Sequence, residues 1–188
     1  PLIHNVMNSD YVVGISDKAT NNLNLIFNTK VGKKYLETKK GLNKKLISRL
    51  PEMGFSAIAN VLASIKLAKY LKLSSDEAII TVATDGAELY FTELEKTKRN
   101  FKGIFDLFSC AEIFGQFMKG TSTDNLAELS HMDKQRIFNL GYYTWVEQQK
   151  IEIADFEARK KQAFWDKKYL NFKKLDNKIE NFNKLIQD

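Results

Sequence analysis

A short apolar run at residues 78–83 (AIITVA) constrains the fold of this chain more than any other feature. The run is rich in β-branched side chains, is too short for a helix and lacks the polar alternation of a half-exposed strand. Such a run is typical of a parallel strand that is covered on both faces. Turn-forming residues precede it at 74–76 and end it at 84–86. The sequence therefore predicts a buried strand followed by a polar elbow.

A helix is predicted immediately before this strand, over residues 54–72. Small and apolar residues recur there at helical spacing, and we expect Lys66, Lys69 and Lys72 to lie on or near the solvent side. At its start, Gly54 allows close approach and Ser56 supplies a hydroxyl beside the free amide groups of the first turn. This combination suits a cofactor or an anion. The alternative is a plain helix cap.

The elbow Thr84, Asp85 and Gly86 is the second candidate site. Ligands of open α/β sheets bind beyond the carboxyl ends of the strands, which is where these residues are predicted to lie. A hydroxyl and a carboxylate at this place can address a ring nitrogen or a substrate. The alternative is that Thr84 or Asp85 only caps the helix that follows.

Alternating strand and helix patterns indicate an α/β layered domain. A β-type run at 11–15 precedes a helix for which Ser16 and Asp17 supply the N-cap, and the predicted helix 54–72 separates this run from the strand 78–83. The alternation ends after about residue 100. Amphipathic helices follow, and the last of them spans residues 151–187. A helical extension at 121–188 is therefore expected after a domain at 1–120.

Composition restricts the class of protein. The net charge of +6 is diluted along helices, which is typical of solvated faces and argues against a nucleic-acid surface. Cys110 is the single cysteine, so the chain has no disulfide framework, and we expect a buried thiol. No membrane-span or signal pattern is seen, which predicts a soluble cytoplasmic protein. The chain begins at Pro1 without an initiator methionine, so we expect a piece of a longer chain or a processed one.

Several kinds of site have no support in the sequence. His4 and His131 are far apart and lack metal-ligand spacing. No Ser/His/Asp or Cys/His arrangement supports a hydrolase, and no Walker loop or GxGxxG sequence is present. The aromatic segment 142–149 (YYTWVEQQ) could stack nucleic-acid bases, but helical packing against the preceding domain is the favoured interpretation.

The segment 54–92 resembles the fold-type II pyridoxal-phosphate enzymes, the group of cysteine synthase and cystathionine β-synthase. Their helix begins at a G-I-S-S-G-type turn and contains a K-L-A-K-like segment, and a strand then leads to a P-S-F-G-E-R-Y-type elbow. The segment 11–19 (YVVGISDKA) is similar to the family's V-S-D-E-E-A strand end. Motifs at 3–8, 122–125 and 142–149 are similar to a less characterised branch of the same superfamily.

The resemblance implies a part of a doubly wound, mostly parallel sheet domain of the tryptophan synthase β type. It implies pyridoxal 5'-phosphate as cofactor, β-elimination or β-replacement on an amino-acid substrate, and a homodimer. By this resemblance Gly54 and Ser56 line the cofactor floor, and Thr84, Asp85 or Gly86 faces the pyridine ring. Residues 1–120 are then the C-terminal part of the cofactor domain. The Schiff-base lysine and the glycine-rich phosphate loop are expected upstream, in the N-terminal half of the same enzyme.

A protein of a different class fits the same sequence. A non-catalytic helical module, either a regulatory subunit or a pseudo-enzyme, would use the long final helix to dock a protein partner or an acidic polymer. A lysine and a glycine-rich loop upstream would favour the enzyme. A steep salt dependence of binding to nucleic acid would favour the module.

Overall fold

The computed structural model of the chain describes residues 5–102 and 104–187. His4 and the start of the motif at 3–8 lie outside these residues. The chain is 69% helical and contains one sheet of two strands in its described part. The strands are β1 (Tyr11–Val13) and β2 (Leu126–Glu128). The helices are α1 (Asp17–Asn28), α2 (Lys30–Lys40), α3 (Lys44–Arg49), α4 (Phe55–Leu71), α5 (Phe91–Arg99), α6 (Leu107–Ile113), α7 (His131–Asn139), α8 (Ile153–Ala158) and α9 (Gln162–Gln187).

Shorter helical turns connect these elements. Three are 3₁₀-helical, at Val6–Asn8, Leu50–Glu52 and Ala87–Tyr90. Two more, Phe114–Lys119 and Tyr143–Gln148, have π-helical hydrogen bonding.

The predicted fold class, a doubly wound and mostly parallel sheet, is wrong for this structure. The two strands are antiparallel, because the Gly14 amide donates to the Asn125 carbonyl oxygen at 2.7 Å while the Leu129 amide donates to the Asp10 carbonyl oxygen at 2.8 Å. The higher-numbered residue on one strand is thus bonded to the lower-numbered residue on the other. Most of the remaining residues pack as helix on helix.

The predicted buried strand at 78–83 is also wrong. The segment has no regular secondary structure and is exposed along its whole length, with Ile80 96% exposed. The Asn60 side-chain amide holds the segment by donating to the Val82 carbonyl oxygen at 2.9 Å. A strand forms only where a neighbour takes its backbone hydrogen bonds, and residues 5–102 and 104–187 provide no such neighbour here.

The described residues form two compact units, and Val13–Ala127 is the first of them. Its core is built around α1, in which Leu23, Leu25 and Ile26 are fully buried. Ser16 accepts a hydrogen bond from the Ala19 amide at 3.2 Å, which confirms the predicted helix cap. The helix is buried on most of its circumference, because α2, α4, α5 and α6 all contact it.

The second unit combines the residues up to Val12 with those from Glu128 onward. Phe138 and Phe156 are its buried centre, with ring centroids 4.7 Å apart. The Arg159 guanidinium lies 4.4 Å from the Phe156 ring centroid and 5.4 Å from that of Trp145. Part of the segment 142–149 thus packs within its own helical unit. The predicted division into residues 1–120 and 121–188 stays a prediction.

The predicted cytoplasmic location stays a prediction, and the structure bears only on membrane-spanning helices. None of the helices formed by the described residues has both the length and the apolar character that crossing a bilayer requires.

Candidate functional site

The elbow and the start of α4 lie against each other. The Gly54 amide donates to the Asp85 carbonyl oxygen at 2.7 Å. A Cβ atom added to Gly54 would lie 2.8 Å from that oxygen, 2.8 Å from Tyr90 Cε2 and 2.9 Å from Asp85 Oδ1. These separations are far below van der Waals contact, so only glycine allows the elbow to approach the helix this closely.

Asp85 is the centre of the elbow. Thr84 Oγ1 donates to Asp85 Oδ1 at 2.8 Å, and the Tyr90 hydroxyl donates to Oδ2. These two bonds hold the pKa of Asp85 below its ordinary value, the Tyr90 bond having the larger effect. The same contact raises the pKa of Tyr90. Asp85 is therefore ionised at neutral pH, while Tyr90 keeps its proton.

Aromatic stacking fixes the position of Tyr90. Its ring lies 4.4 Å from that of Phe55, centroid to centroid, at an interplanar angle of 31°. Phe55 is the first residue of α4, so the stack joins the helix start to the residues that follow the elbow. Sequence reasoning did not place Tyr90 or Phe55 in the site, because a contact over 35 positions leaves no local pattern.

Asp85 does not cap the helix that follows it. Gly86 is the N-cap of the turn Ala87–Tyr90, which has no side-chain cap bond, and the start of α5 has none either. The carboxylate instead lies close to the N-terminus of α4, where the aligned peptide dipoles favour a negative charge. The first turn of α4 also has no side-chain cap bond.

Ser56 and Gly86 differ from the other predicted residues. Ser56 is exposed and lines an open cleft of about 500 Å³ together with Phe55, Glu93 and Lys96. A Cβ atom added to Gly86 would meet mainly the carboxylate of Glu88, which can move away. The structure thus brings Gly54, Thr84 and Asp85 together, while Ser56 lies in the adjacent cleft.

Lys66 is the centre of a second polar cluster. The prediction that its side chain lies on or near the solvent side is wrong. Its side chain is 10% exposed, not on the solvent side of α4. The ammonium donates to the Gly14 carbonyl oxygen at 3.2 Å, and to the carbonyl oxygen and Oδ1 of Asp124 at 2.7 and 3.0 Å. Lys69 donates to the Thr121 carbonyl oxygen from the next turn of α4. Two lysines of one helix thus hold the loop at 121–124.

Other reactive groups support no further site. Burial raises the pKa of the Cys110 thiol to about 11, so this cysteine is a core residue, as predicted. Among the described residues, no group of three or more histidine, cysteine, aspartate or glutamate side chains could hold a metal ion.

Comparison of the chain with protein-family models, with curated proteins and with solved structures finds no match. The protein is therefore described by its fold and its site alone. This is a mostly α-helical protein with an ionised carboxylate held against the start of a helix.

Proposed function

We propose that this chain supplies the ring-binding part of a pyridoxal-phosphate site, in an enzyme that catalyses β-elimination or β-replacement on an amino acid. The contact between Gly54 and the ionised Asp85 at the start of α4 carries the proposal. The resemblance at 54–92 assigned these positions to the cofactor. The Schiff-base lysine, the N-terminal half of the enzyme and a homodimer belong to the same proposal.

A carboxylate in the elbow would favour a ring that carries a protonated nitrogen. An ionised carboxylate only accepts hydrogen bonds, so the Thr84 hydroxyl uses its proton on Asp85 and has lone pairs left to offer. Tyr90 likewise gives its proton to Asp85. Thr84 and Asp85 therefore both present acceptors, and a nearby carboxylate stabilises a positively charged partner. This favours a pyridinium over a neutral pyridine.

The residues of the chain would have separate tasks. When bound, pyridoxal phosphate draws electrons from the bonds of the amino acid's α-carbon. Asp85 would hold the proton on the ring nitrogen, Thr84 and Tyr90 would keep that carboxylate ionised, and Gly54 would leave room for the elbow at the helix start. Ser56 and the amides of the first turn of α4 would face polar groups of the cofactor.

Calorimetric titration with pyridoxine 5'-phosphate tests this proposal. This analogue lacks the aldehyde, so it does not react with the many lysines of the chain. A hydrogen bond to a charged group contributes about 1.5–3 kcal/mol. Asp85→Asn should therefore weaken binding roughly 10- to 100-fold. Thr84→Val should weaken binding less, since it removes a neutral group.

Asp76→Asn is the matched control. Asp76 is an exposed carboxylate in the turn before residues 78–83, so its neutralisation should leave the affinity unchanged. Equal losses in Asp76→Asn and Asp85→Asn would show that only the overall charge matters, and would contradict the proposal.

A second candidate function is favoured by the architecture. The chain is 69% helical, and this agrees with a non-catalytic helical binding module better than with the sheet that the resemblance implied. A chain that folds but does not bind the analogue would move this candidate ahead.

A further inference from the structure

Gly14 and the loop at 121–124 direct three oxygen atoms towards one point, where the Lys66 ammonium lies. The ammonium nitrogen is 3.2 Å from the Gly14 carbonyl oxygen, and 2.7 and 3.0 Å from the carbonyl oxygen and Oδ1 of Asp124. All three partners are acceptors, and the carboxylate carries a negative charge. An ammonium has three donors and no acceptor, so this set of oxygen atoms uses its hydrogen-bonding capacity in full.

The oxygen atoms are also held by contacts that do not involve Lys66. The Ser122 hydroxyl donates to Asp124 Oδ1, and the Asn125 side-chain amide donates to Oδ2 at 3.0 Å. The Gly14 amide donates to the Asn125 carbonyl oxygen at 2.7 Å, which fixes Gly14 beside the loop. Asn125 has a φ of 52°, in the left-handed region that asparagine tolerates better than most residues. The arrangement of oxygen atoms should therefore persist when the lysine is removed.

A cavity of about 210 Å³ that opens to solvent lies beside this point. Lys66 and Asp124 belong to its lining, together with the apolar residues Ala19, Leu62 and Phe117. The Lys66 side chain is 10% exposed, so it separates the cavity from the oxygen atoms that it binds. Removal of this side chain would join the cavity to those oxygen atoms and would leave an apolar wall along the path.

We infer that Gly14 and the loop at 121–124 form a binding site for a primary ammonium ion, which Lys66 fills as a ligand tethered to α4. The tether keeps the ammonium at a high effective concentration, so the unaltered chain needs no free ion at this site. A free alkylammonium ion should bind the same oxygen atoms once the tether is removed. The inference does not rest on the proposed cofactor site, which involves the start of α4.

Chemical rescue of Lys66→Ala by n-propylammonium chloride tests the inference. Alanine keeps the β-carbon of the lysine, and propylammonium supplies the remaining carbons and the ammonium. At about ten times its dissociation constant, a ligand that binds only the folded state raises the folding equilibrium constant about 10-fold. The urea unfolding midpoint of Lys66→Ala should therefore rise by about 0.7 M at that concentration.

Lys66→Met is the matched control variant. It also lacks the ammonium, but its side chain fills the space that the probe would occupy, so propylammonium should not raise its midpoint. Tetramethylammonium chloride at the same concentration is the control for charge and ionic strength, because this ion has no N–H group to donate. Equal midpoint shifts with the two salts in Lys66→Ala, or equal responses of the two variants to propylammonium, would overturn the inference.

The test also covers a Lys66→Ala chain that is unfolded in buffer alone. Propylammonium should then restore its far-UV circular dichroism, while tetramethylammonium should not, and failure of propylammonium would overturn the inference. The unaltered chain gives a second measurement. Burial and three hydrogen bonds slow the exchange of ammonium protons with water, so ¹⁵N–¹H spectra should show a side-chain signal that Lys66→Met lacks. Absence of this signal would contradict the occupied site.

Discussion

Lys66→Met should destabilise the unit Val13–Ala127. The ammonium donates three hydrogen bonds, two of them to backbone carbonyl oxygens, from a side chain that is 10% exposed. Methionine fills a similar volume but donates none of them. The loop at 121–124 would lose its main link to α4.

The size of the effect follows from the surroundings of each acceptor. An unsatisfied buried acceptor costs about 1–3 kcal/mol, but Gly14 and Asp124 are exposed residues that water can reach in part. The Asp124 carboxylate, 61% exposed, can be solvated after the ammonium is lost. We therefore expect a loss of about 2 kcal/mol in the free energy of unfolding, well below three times the cost of one unsatisfied group.

Urea unfolding followed by far-UV circular dichroism measures this loss. Tryptophan fluorescence is unsuitable, because Trp145 and Trp165 both lie in the other unit. With a denaturant dependence of about 2 kcal/mol per molar urea, the midpoint should fall by about 1 M. Lys72→Met, on an exposed residue of the same sequence segment, is the control and should shift it little. Equal midpoints for the two variants would refute the role given to Lys66.

Three further predictions concern other positions. Gly54→Ala should destabilise the protein by about 1–3 kcal/mol, because the added Cβ has no room against Asp85 and Tyr90. Gly115→Ala is the control and should not destabilise it, because the space around that Cβ is open. The urea unfolding midpoints of the two variants measure the difference. Because the pKa of Asp85 is lowered in the folded state, the stability it contributes is present above its ordinary pKa of about 3.9 and is lost as the pH falls through the folded value. The unaltered chain should therefore lose its advantage in free energy of unfolding over Asp85→Asn as the pH falls below that value. A difference in free energy of unfolding that stays constant with pH would contradict this prediction. Cys110, with its pKa raised to about 11, should react with a disulfide reagent at pH 8 more than about 100-fold slower than in urea, and an equal rate in both would refute its burial.

Helices were predictable where one local signal specified them. Ser16 caps α1 as expected, and α2 ends at Gly41, whose φ of +68° only glycine adopts easily. The close approach expected at Gly54 was that of a cofactor or an anion, whereas in the structure the elbow itself approaches Gly54. Each of these signals depends on neighbours in the sequence, or on a residue type that has few structural uses.

Residues 78–83 show that a local sequence signal is sometimes insufficient to predict structure. β-branched apolar residues predict a strand, but a strand also needs hydrogen-bonding partners, which sequence pattern alone does not supply. Lys66 was misplaced for a similar reason. A lysine on an apolar helix reads as solvent-facing unless distant carbonyl groups accept its protons, and here Gly14 and Asp124 lie more than 50 residues away.

Backbone amide shifts of the ¹⁵N-labelled chain, recorded during titration with pyridoxine 5'-phosphate, test the proposed function most directly. The elbow is predicted to bind the ring, so the largest saturable changes should fall at residues 54–57 and 84–90, and Asp85→Asn should remove them. Changes that are confined to the lysine-rich surface of α9, or that persist in Asp85→Asn, would contradict the assignment.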